Sequence, residues 1–321
     1  MLRLSRFLSR PRRINQTARL YSRSHNIADK DVVELAFSAL KSSPSAVLER
    51  PEGPLVILHG LFGSKRNWNS LCKAFHRDLP GRAVYSLDLR NHGSSPHARP
   101  MTYAAMAEDV KHFLSSNGLR NVSLLGHSMG AKVAMTVALS LSKDATNSDT
   151  ISRLIVADLA PAKLDLSNRL TQYVSAMQDI NAMPHGMIKT LQDADRVLDP
   201  FEQDPAIRRF LLTNLLLPRH SRTAEPRDRA KFLIPLDILK EAIPSLAEFP
   251  YDYQLSGRPQ WDGPTLVIAG GTSEYKILDY TEAFKAFFPQ SRFETLDAGH
   301  WVHAEKPNEF KKLVVDFISS R

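Results

Sequence analysis

The feature that most constrains this chain is a glycine-bounded turn that carries a serine. A mostly apolar run at 122–125 leads into Gly126, Ser128 and Gly130, and small and apolar residues then continue to Met135. This order predicts a strand, a sharp turn with Ser128 at its tip, and a helix. Glycine suits the two flanking positions because a larger side chain would collide with the turn.

Two roles fit a serine on such a turn. As a nucleophile, Ser128 would hold its hydroxyl above the sheet, and the N–H of Met129 at the start of the helix would point at an oxyanion. In the alternative, the serine only caps the helix. The motif alone does not decide between these roles, so the rest of the chain must.

Short apolar runs alternate with amphipathic, helix-like segments along most of the chain. The runs are too short for helices and are typical of buried parallel strands. The pattern therefore predicts an α/β fold, a mostly parallel sheet with helices on both faces. The predicted strands lie within 31–40 and at 55–58, 83–87, 122–125, 151–157, 265–269 and 292–296.

The alternation stops between about residue 162 and residue 260. This stretch predicts helices with charged faces, for example at 170–180, 187–197 and 206–217, and contains no convincing buried strand. An insertion after the strand that ends at Asp158 would cover the carboxyl ends of the strands, where ligands bind in such folds. We predict one domain over 29–321 with a helical cap at about 162–260.

Residues 1–28 have the composition of a mitochondrial transit peptide. They hold seven arginines and no acidic residue, and Leu2, Leu4, Phe7 and Leu8 lie among the arginines. Arginine-rich, serine-rich and amphipathic N-termini without acids are typical of import signals, and residues 19–22 resemble a matrix-protease cleavage site. The sequence predicts a mitochondrial location; a disordered basic tail is the alternative.

Composition argues against several other classes of function. The formal net charge is +8, of which residues 1–28 carry +7, so the body of the chain has no basic excess to bind nucleic acid. The single cysteine, Cys72, excludes an intramolecular disulfide framework and a cysteine-based zinc site. We find no nucleotide loop, no metal-ligand cluster and no apolar run near the ~20 residues of a transmembrane helix, and expect no cofactor.

Acyl transfer by a serine needs a histidine base, an acid that orients the base, and two N–H groups for the oxyanion. Four histidines follow Ser128 and Asp158, and two of them (His185 and His220) lie in the predicted cap. His300 follows the last predicted strand in a Gly-His-Trp loop, which favours it as the base. His303 is its rival.

The spacing leaves the acid open. Asp158 ends one predicted strand, and Glu274 follows another beside Ser273. A second oxyanion donor is expected at Leu61, because His59-Gly60-Leu61 forms the turn after the first buried strand. In the alternative, this is only a tight turn. His59 and His92 also lie at strand ends, and shaping their loops is the favoured role for both.

Four motifs together resemble the α/β-hydrolase superfamily, over roughly residue 55 to the C-terminus. They are His59–Ser64, Asp88–Gly93, Gly126–Gly130 and Asp297–Trp301. Within the superfamily the chain is similar to the subgroup of abhydrolase domain-containing protein 11, related bacterial esterases and the fungal ethanol acetyltransferases. Residues 210–215 and 249–250 in the predicted cap are similar to that subgroup too.

The resemblance implies an α/β-hydrolase fold and a role for each candidate residue. Ser128 would be the nucleophile, His300 the base, and Leu61 and Met129 the oxyanion donors. The subgroup takes its acid after the strand that follows the nucleophile helix, which implies Asp158, with Ser273 supporting the histidine. Many other members place the acid after the penultimate strand, which corresponds to Glu274.

The sequence thus predicts a serine hydrolase that acts on small acyl esters or thioesters through an acyl-enzyme. The alternative within the same chemistry is an alcohol acyltransferase with ethanol as acceptor, since the two differ only in what attacks the acyl-enzyme. A non-catalytic ligand-binding protein or a mitochondrial scaffold would be expected to have lost the serine or the histidine, and neither is lost.

Overall fold

The computed structural model describes residues 32–41, 53–143, 149–164, 168–218 and 229–320. The predicted transit peptide lies outside the described residues. The strands are β1 (Phe37–Leu40), β2 (Leu55–Leu58), β3 (Val84–Leu87), β4 (Val122–His127), β5 (Ile151–Ala157), β6 (Leu215–Leu216), β7 (Lys231–Phe232), β8 (Thr265–Gly270) and β9 (Ser291–Leu296). The helices are α1 (Asn69–Asp78), α2 (Tyr103–Ser116), α3 (Met129–Leu141), α4 (Arg169–Ala182), α5 (Leu191–Leu198), α6 (Pro205–Leu212), α7 (Leu236–Ala247), α8 (Thr281–Phe287), α9 (Val302–Glu305) and α10 (Pro307–Ser319).

Seven strands form one sheet in the order β1-β3-β2-β4-β5-β8-β9. Strand β1 runs antiparallel to β3, and all other neighbours are parallel. Because parallel strands end at the same edge, the loops after β2, β4, β5, β8 and β9 meet there. This confirms the predicted α/β fold with a mostly parallel sheet.

Both faces of the sheet are covered by helices, which is why its strands are apolar on both sides. In β2, Val56 and Leu58 join the core beneath α2 and α3, while Leu55 and Ile57 join the core beneath α1 and α10. This is the two-residue period of a strand. Burying a leucine- or isoleucine-sized side chain contributes about 1.5–3 kcal/mol, so a run of four such residues fixes the strand firmly.

The four helices α4–α7 and the β6–β7 pair lie in sequence between β5 and β8, after the strand predicted to precede the insertion. They pack on the α2–α3 side of the molecule, where the Tyr103 hydroxyl donates to the Leu246 carbonyl over 2.9 Å. The boundaries of the predicted cap, 162–260, stay a prediction.

Local structure differs from the sequence expectations at three places. The first strand is only Phe37–Leu40. Helix α5 begins at Leu191 rather than 187 because Thr190 and Asp193 form a capping box there. Helix α6 ends at Leu212, not 217, and the chain turns at 213–214 into β6, which pairs with β7 in a two-residue ladder that the sequence analysis did not anticipate.

No helix within the described ranges is long and apolar enough to cross a membrane. Over the same residues, no group of three or more histidine, cysteine and acidic side chains is arranged to hold a metal ion.

Candidate active site

Ser128 lies on a strained turn between β4 and α3. Its backbone has φ 54° and ψ −122°, outside the regions that L-residues favour. A Cβ atom at Gly126 would lie 2.1 Å from the Gly130 carbonyl oxygen, and one at Gly130 would lie 2.5 Å from the Leu58 carbonyl oxygen. Both glycines are therefore required by close backbone contact, as the sequence predicted. Such strain costs about 1–3 kcal/mol and persists only where the fold holds it.

His300 contacts Ser128 from the loop that follows β9. Its Nε2 lies 2.8 Å from the Ser128 hydroxyl, and its Nδ1 lies 2.8 Å from Oδ2 of Asp158. A carboxylate only accepts hydrogen bonds, so Nδ1 carries the proton and Nε2 is free to accept one from the hydroxyl. The structure thus brings three predicted residues into one hydrogen-bonded chain.

Asp158 is fully buried at the end of β5. Its Oδ1 accepts from the Gly270 N–H over 2.8 Å, and its Oδ2 accepts from the Ser273 hydroxyl as well as from His300. Three donors compensate for the loss of water around the charge. Ser273 therefore supports the carboxylate directly rather than the histidine.

The two rival residues line the same cavity but have other partners. Glu274 is about 50% exposed and faces Arg169, with 3.4 Å between Oε1 and Nη1. His303 is buried and stacks on Trp68, with 4.3 Å between the ring centroids. Neither contacts Ser128. Of the two remaining histidines, His185 is exposed, and His220 lies outside the described residues.

The turn after β2 holds the Gly60–Leu61 peptide in a fixed orientation. The Gly60 carbonyl accepts from His59 Nδ1 over 2.8 Å and from the Gly63 N–H over 3.0 Å. His59 Nε2 in turn accepts from the Leu89 N–H over 3.0 Å. Burial holds the pKa of His59 below its ordinary value, so the ring stays neutral and keeps this tautomer.

With that carbonyl held, the Leu61 N–H points away from it. Neither this N–H nor that of Met129 has a hydrogen-bond partner in the part of the chain that the structure describes. Both residues line the same cavity as Ser128. Two unpaired donors beside a serine hydroxyl form the arrangement that binds an oxyanion.

Two further residues brace the Phe62 peptide groups. His92 Nε2 accepts from the Phe62 N–H over 3.2 Å, and Asn214 donates to the Phe62 carbonyl over 2.7 Å. A loop-shaping role for His59 and His92 was the alternative that the sequence favoured. No sequence signal pointed to Asn214 as a contact of this turn, because the two are 152 residues apart.

Lys132 is another residue that the sequence did not single out. It is fully buried on α3, and its ammonium group donates to the carbonyls of Ala247 and Glu248 over 3.1 and 2.9 Å. Burial lowers its pKa to about 7. These bonds join the helix that follows Ser128 to the end of α7, an arrangement favoured between a cation and a helix C-terminus.

The cavity above Ser128 has a volume of about 970 Å³ and opens to solvent. Its walls on the α4–α7 side are apolar except for Arg169 at the start of α4, and the carboxylate of Glu274 also lines the cavity. A mostly apolar cavity with a few convergent polar groups is typical of a small-molecule site. The apolar lining residues from α4, α6 and α7 are Leu170, Tyr173, Ile207, Phe210, Leu211 and Leu246.

Known proteins similar to this chain point to one fold family. Residues 53–307 match the model of the alpha/beta hydrolase fold family. A probable alcohol acetyltransferase of Saccharomyces cerevisiae is 38% identical over 84% of this chain and 78% of its own length. The sn-1-specific diacylglycerol lipase ABHD11 of Mus musculus is 36% identical over 83% of this chain and 80% of its own.

A solved structure of a marine microorganism esterase superposes with a TM-score of 0.73. It is 30% identical and covers 89% of this chain and 99% of its own. The predicted resemblance is confirmed, as is the prediction of an enzyme of the serine hydrolase or acyltransferase kind, since the relatives carry such names. The chain therefore belongs to the α/β hydrolase fold family.

Proposed function

We propose that this chain is a serine-dependent carboxylic ester hydrolase that acts on small acyl esters or thioesters through an acyl-enzyme. The observation that carries the proposal is the chain of hydrogen bonds Ser128–His300–Asp158 at the cavity. A serine that only capped α3 would not need a histidine and a buried carboxylate aligned behind it.

Ser128 is proposed as the nucleophile and His300 as the base. As Oγ bonds to the substrate carbonyl carbon, its proton passes to Nε2 of His300, 2.8 Å away. Asp158 stays ionised and stabilises the resulting imidazolium through Nδ1. His300 then returns the proton to the leaving alkoxide or thiolate, which departs as the alcohol or thiol and leaves an ester on Ser128.

The N–H groups of Leu61 and Met129 are proposed as the oxyanion donors. They bind the negative charge that develops on the carbonyl oxygen during attack, and each such donor contributes about 10²–10³-fold in rate. Every step uses a side chain or backbone group of this chain, so the proposal invokes no cofactor and no metal.

The experiment that tests this proposal labels the chain with a fluorophosphonate probe. We expect one label per molecule in the wild type and none in Ser128→Ala, with hydrolysis of a short p-nitrophenyl ester lost in parallel. Glu274→Gln serves as a control with the serine intact. Stoichiometric labelling that persists in Ser128→Ala would contradict the assignment of the nucleophile.

A second candidate function is alcohol acyl transfer, in which ethanol rather than water attacks the acyl-enzyme. It is favoured by the name of the yeast relative at 38% identity and by the apolar wall of the cavity, since an apolar site disfavours water. Quantifying free acid and ethyl ester together, with and without ethanol, separates the two. Ethyl ester above the share expected from bulk alcohol supports the transferase, and acid alone supports the hydrolase.

The name of the mouse relative adds glycerol esters to the substrates worth testing. We propose small acyl esters first because the volume of about 970 Å³ includes space open to solvent, so the enclosed space beside Ser128 is smaller than that figure. A series of p-nitrophenyl esters of increasing acyl length, together with a diacylglycerol, measures this directly. A kcat/KM that rises steadily toward long acyl chains would contradict the small-acyl proposal.

We also propose that the protein acts in mitochondria. Residues 1–28 support this through their arginine-rich, acid-free composition. A fluorescent fusion of the whole chain is expected to enter mitochondria and a fusion lacking residues 1–28 is not. Unchanged distribution after that deletion would contradict the proposal.

A further inference from the structure

His127 is the last residue of β4 and lies where three loops of the site meet. It is 3% exposed and immediately precedes Ser128 in the chain. Its ring centroid is 4.9 Å from that of His300 and 4.4 Å from that of His303. The same ring lies against the turn after β2, where a Cβ atom at Gly60 would be 3.0 Å from its Nδ1.

One hydrogen bond joins this side chain to the loop of the base. Nε2 of His127 lies 2.9 Å from the backbone carbonyl oxygen of His300. A carbonyl only accepts hydrogen bonds, so Nε2 must carry the proton. Nδ1 then has no proton and faces the Gly60 backbone.

The protonation state of His127 fits a fixed donor. Burial holds its pKa well below the ordinary value, and His303, His300 and His59, the titratable groups that face it, shift it further in the same direction. The ring therefore stays neutral when His300 takes up a proton during acyl transfer. Its hydrogen bond to the His300 carbonyl is present throughout the cycle.

The base loop is otherwise anchored by its own following helix. Glu305 accepts from the N–H of Gly299 over 2.7 Å and from that of Trp301 over 3.2 Å. Within the described ranges, the His300 carbonyl has His127 as its one partner. Among the residues that the structure describes, this is the one hydrogen bond from β4 to the backbone of His300.

We propose that His127 is a positioning residue that sets the distance between the base and the nucleophile. Since His127 and Ser128 are adjacent, a bond from His127 to the His300 backbone fixes one reacting group relative to the other across a single peptide unit. The inference rests on the proposed function of Ser128 and His300. It goes beyond that function by assigning a role to a residue outside the three-residue chain.

Three variants of the full-length chain test this role. His127→Phe keeps a ring between His300 and His303 but removes the hydrogen-bond donor. His127→Leu also removes the donor, and it replaces the phenylalanine variant if that variant fails to fold. His127→Gln places an amide N–H at a similar reach. Val122→Ala, at the buried first position of β4, is the matched control for loss of packing.

We expect His127→Phe to lower kcat on a short p-nitrophenyl ester by about 10- to 100-fold, because misplacing reacting groups by about 1 Å costs about 10²-fold. KM should change less than kcat, since the proposed role of His127 is to hold the His300 backbone rather than to bind the acyl chain. His127→Gln should restore most of the lost kcat, and Val122→Ala should keep kcat while lowering the melting temperature.

Two results would overturn the proposal. One is a kcat in His127→Phe or His127→Leu no lower than in Val122→Ala, and the other is a glutamine variant as slow as the phenylalanine variant. Fluorophosphonate labelling of the wild type separates this from failure of the proposed function. If the wild type is labelled and active and the His127 variants keep its kcat, only the role of His127 is refuted. If the wild type is not labelled, the role of Ser128 is refuted.

Discussion

Replacing Asp158 by asparagine exchanges one carboxylate oxygen for an NH2 group in a fully buried site. Three donors surround the carboxylate: the Gly270 N–H, the Ser273 hydroxyl and Nδ1–H of His300. An amide offers only one oxygen, so at least one of these donors then faces an NH2 group. A buried donor without an acceptor costs about 1–3 kcal/mol in stability.

The larger effect falls on the base. With the asparagine NH2 group at the position of Oδ2, His300 recovers a hydrogen bond to it only by moving its proton from Nδ1 to Nε2. Nε2–H then faces the Ser128 hydroxyl and cannot accept its proton. Loss of the correct tautomer lowers kcat by about 10⁴-fold in a serine protease, and a 10⁴-fold loss corresponds to about 5.4 kcal/mol in the barrier. The expected rise in the activation barrier, about 5.4 kcal/mol, therefore exceeds the expected loss of about 1–3 kcal/mol in the free energy of unfolding.

The assay is the steady-state hydrolysis of a short p-nitrophenyl ester, with the concentration of competent sites set by fluorophosphonate titration. Glu274→Gln is the matched control, because Glu274 is about half exposed and its ion pair with Arg169 is long. We expect that control to lose less than about tenfold, since exposed ion pairs contribute about 0–1 kcal/mol. A large loss in Glu274→Gln with a small loss in Asp158→Asn would refute the reasoning and move the acid to Glu274.

Three other substitutions test neighbouring parts of the structure. Burial lowers the pKa of Lys132 from 10.5 to about 7 in the folded state. Between pH 7 and pH 10.5 the unfolded state therefore holds a proton on Lys132 that the folded state lacks. The free energy of unfolding rises with pH in that window. Between pH 7 and pH 9, urea unfolding should therefore show the wild type gaining about 2–3 kcal/mol relative to Lys132→Met, and parallel curves would contradict this. Ser273→Ala removes one donor to Asp158 and should slow ester hydrolysis about tenfold, for a charged hydrogen bond of about 1.5–3 kcal/mol; an unchanged kcat would show that the other two donors suffice. Asn214→Ala removes the bond to the Phe62 carbonyl and should lower both kcat and the melting temperature, whereas a lower melting temperature at unchanged kcat would limit Asn214 to a structural role.

Much of the fold followed from local pattern. The apolar run at 55–58 predicts a strand buried on both faces, and the structure divides its four side chains between two cores. The turn at Ser128 with Gly126 and Gly130 could also be predicted from the sequence, because a strained turn allows few residue types. The C-terminal end of α6 could not be predicted from the sequence, because the apolar pattern continues beyond Thr213 and Asn214 to Leu217.

The parts of the site that the sequence left open are those set by long-range contact. Spacing did not distinguish Asp158 from Glu274, since both follow strands, and only the side-chain contact shows that the carboxylate of Asp158 reaches His300. The sequence did not single out Lys132, because its acceptors come from the end of α7, far away in the chain. His127 stood beside Ser128 in the sequence, but its role depends on a carbonyl 173 residues away.

The central claim is that Ser128 carries the acyl group during turnover. Rapid-quench mass spectrometry of the full chain with p-nitrophenyl acetate tests it most directly. We expect one acetyl group per molecule on the peptide that contains Ser128. This group should appear before steady-state turnover and should be absent from Ser128→Ala. Acetylation at another residue, or turnover that continues at the wild-type rate in Ser128→Ala, would contradict it.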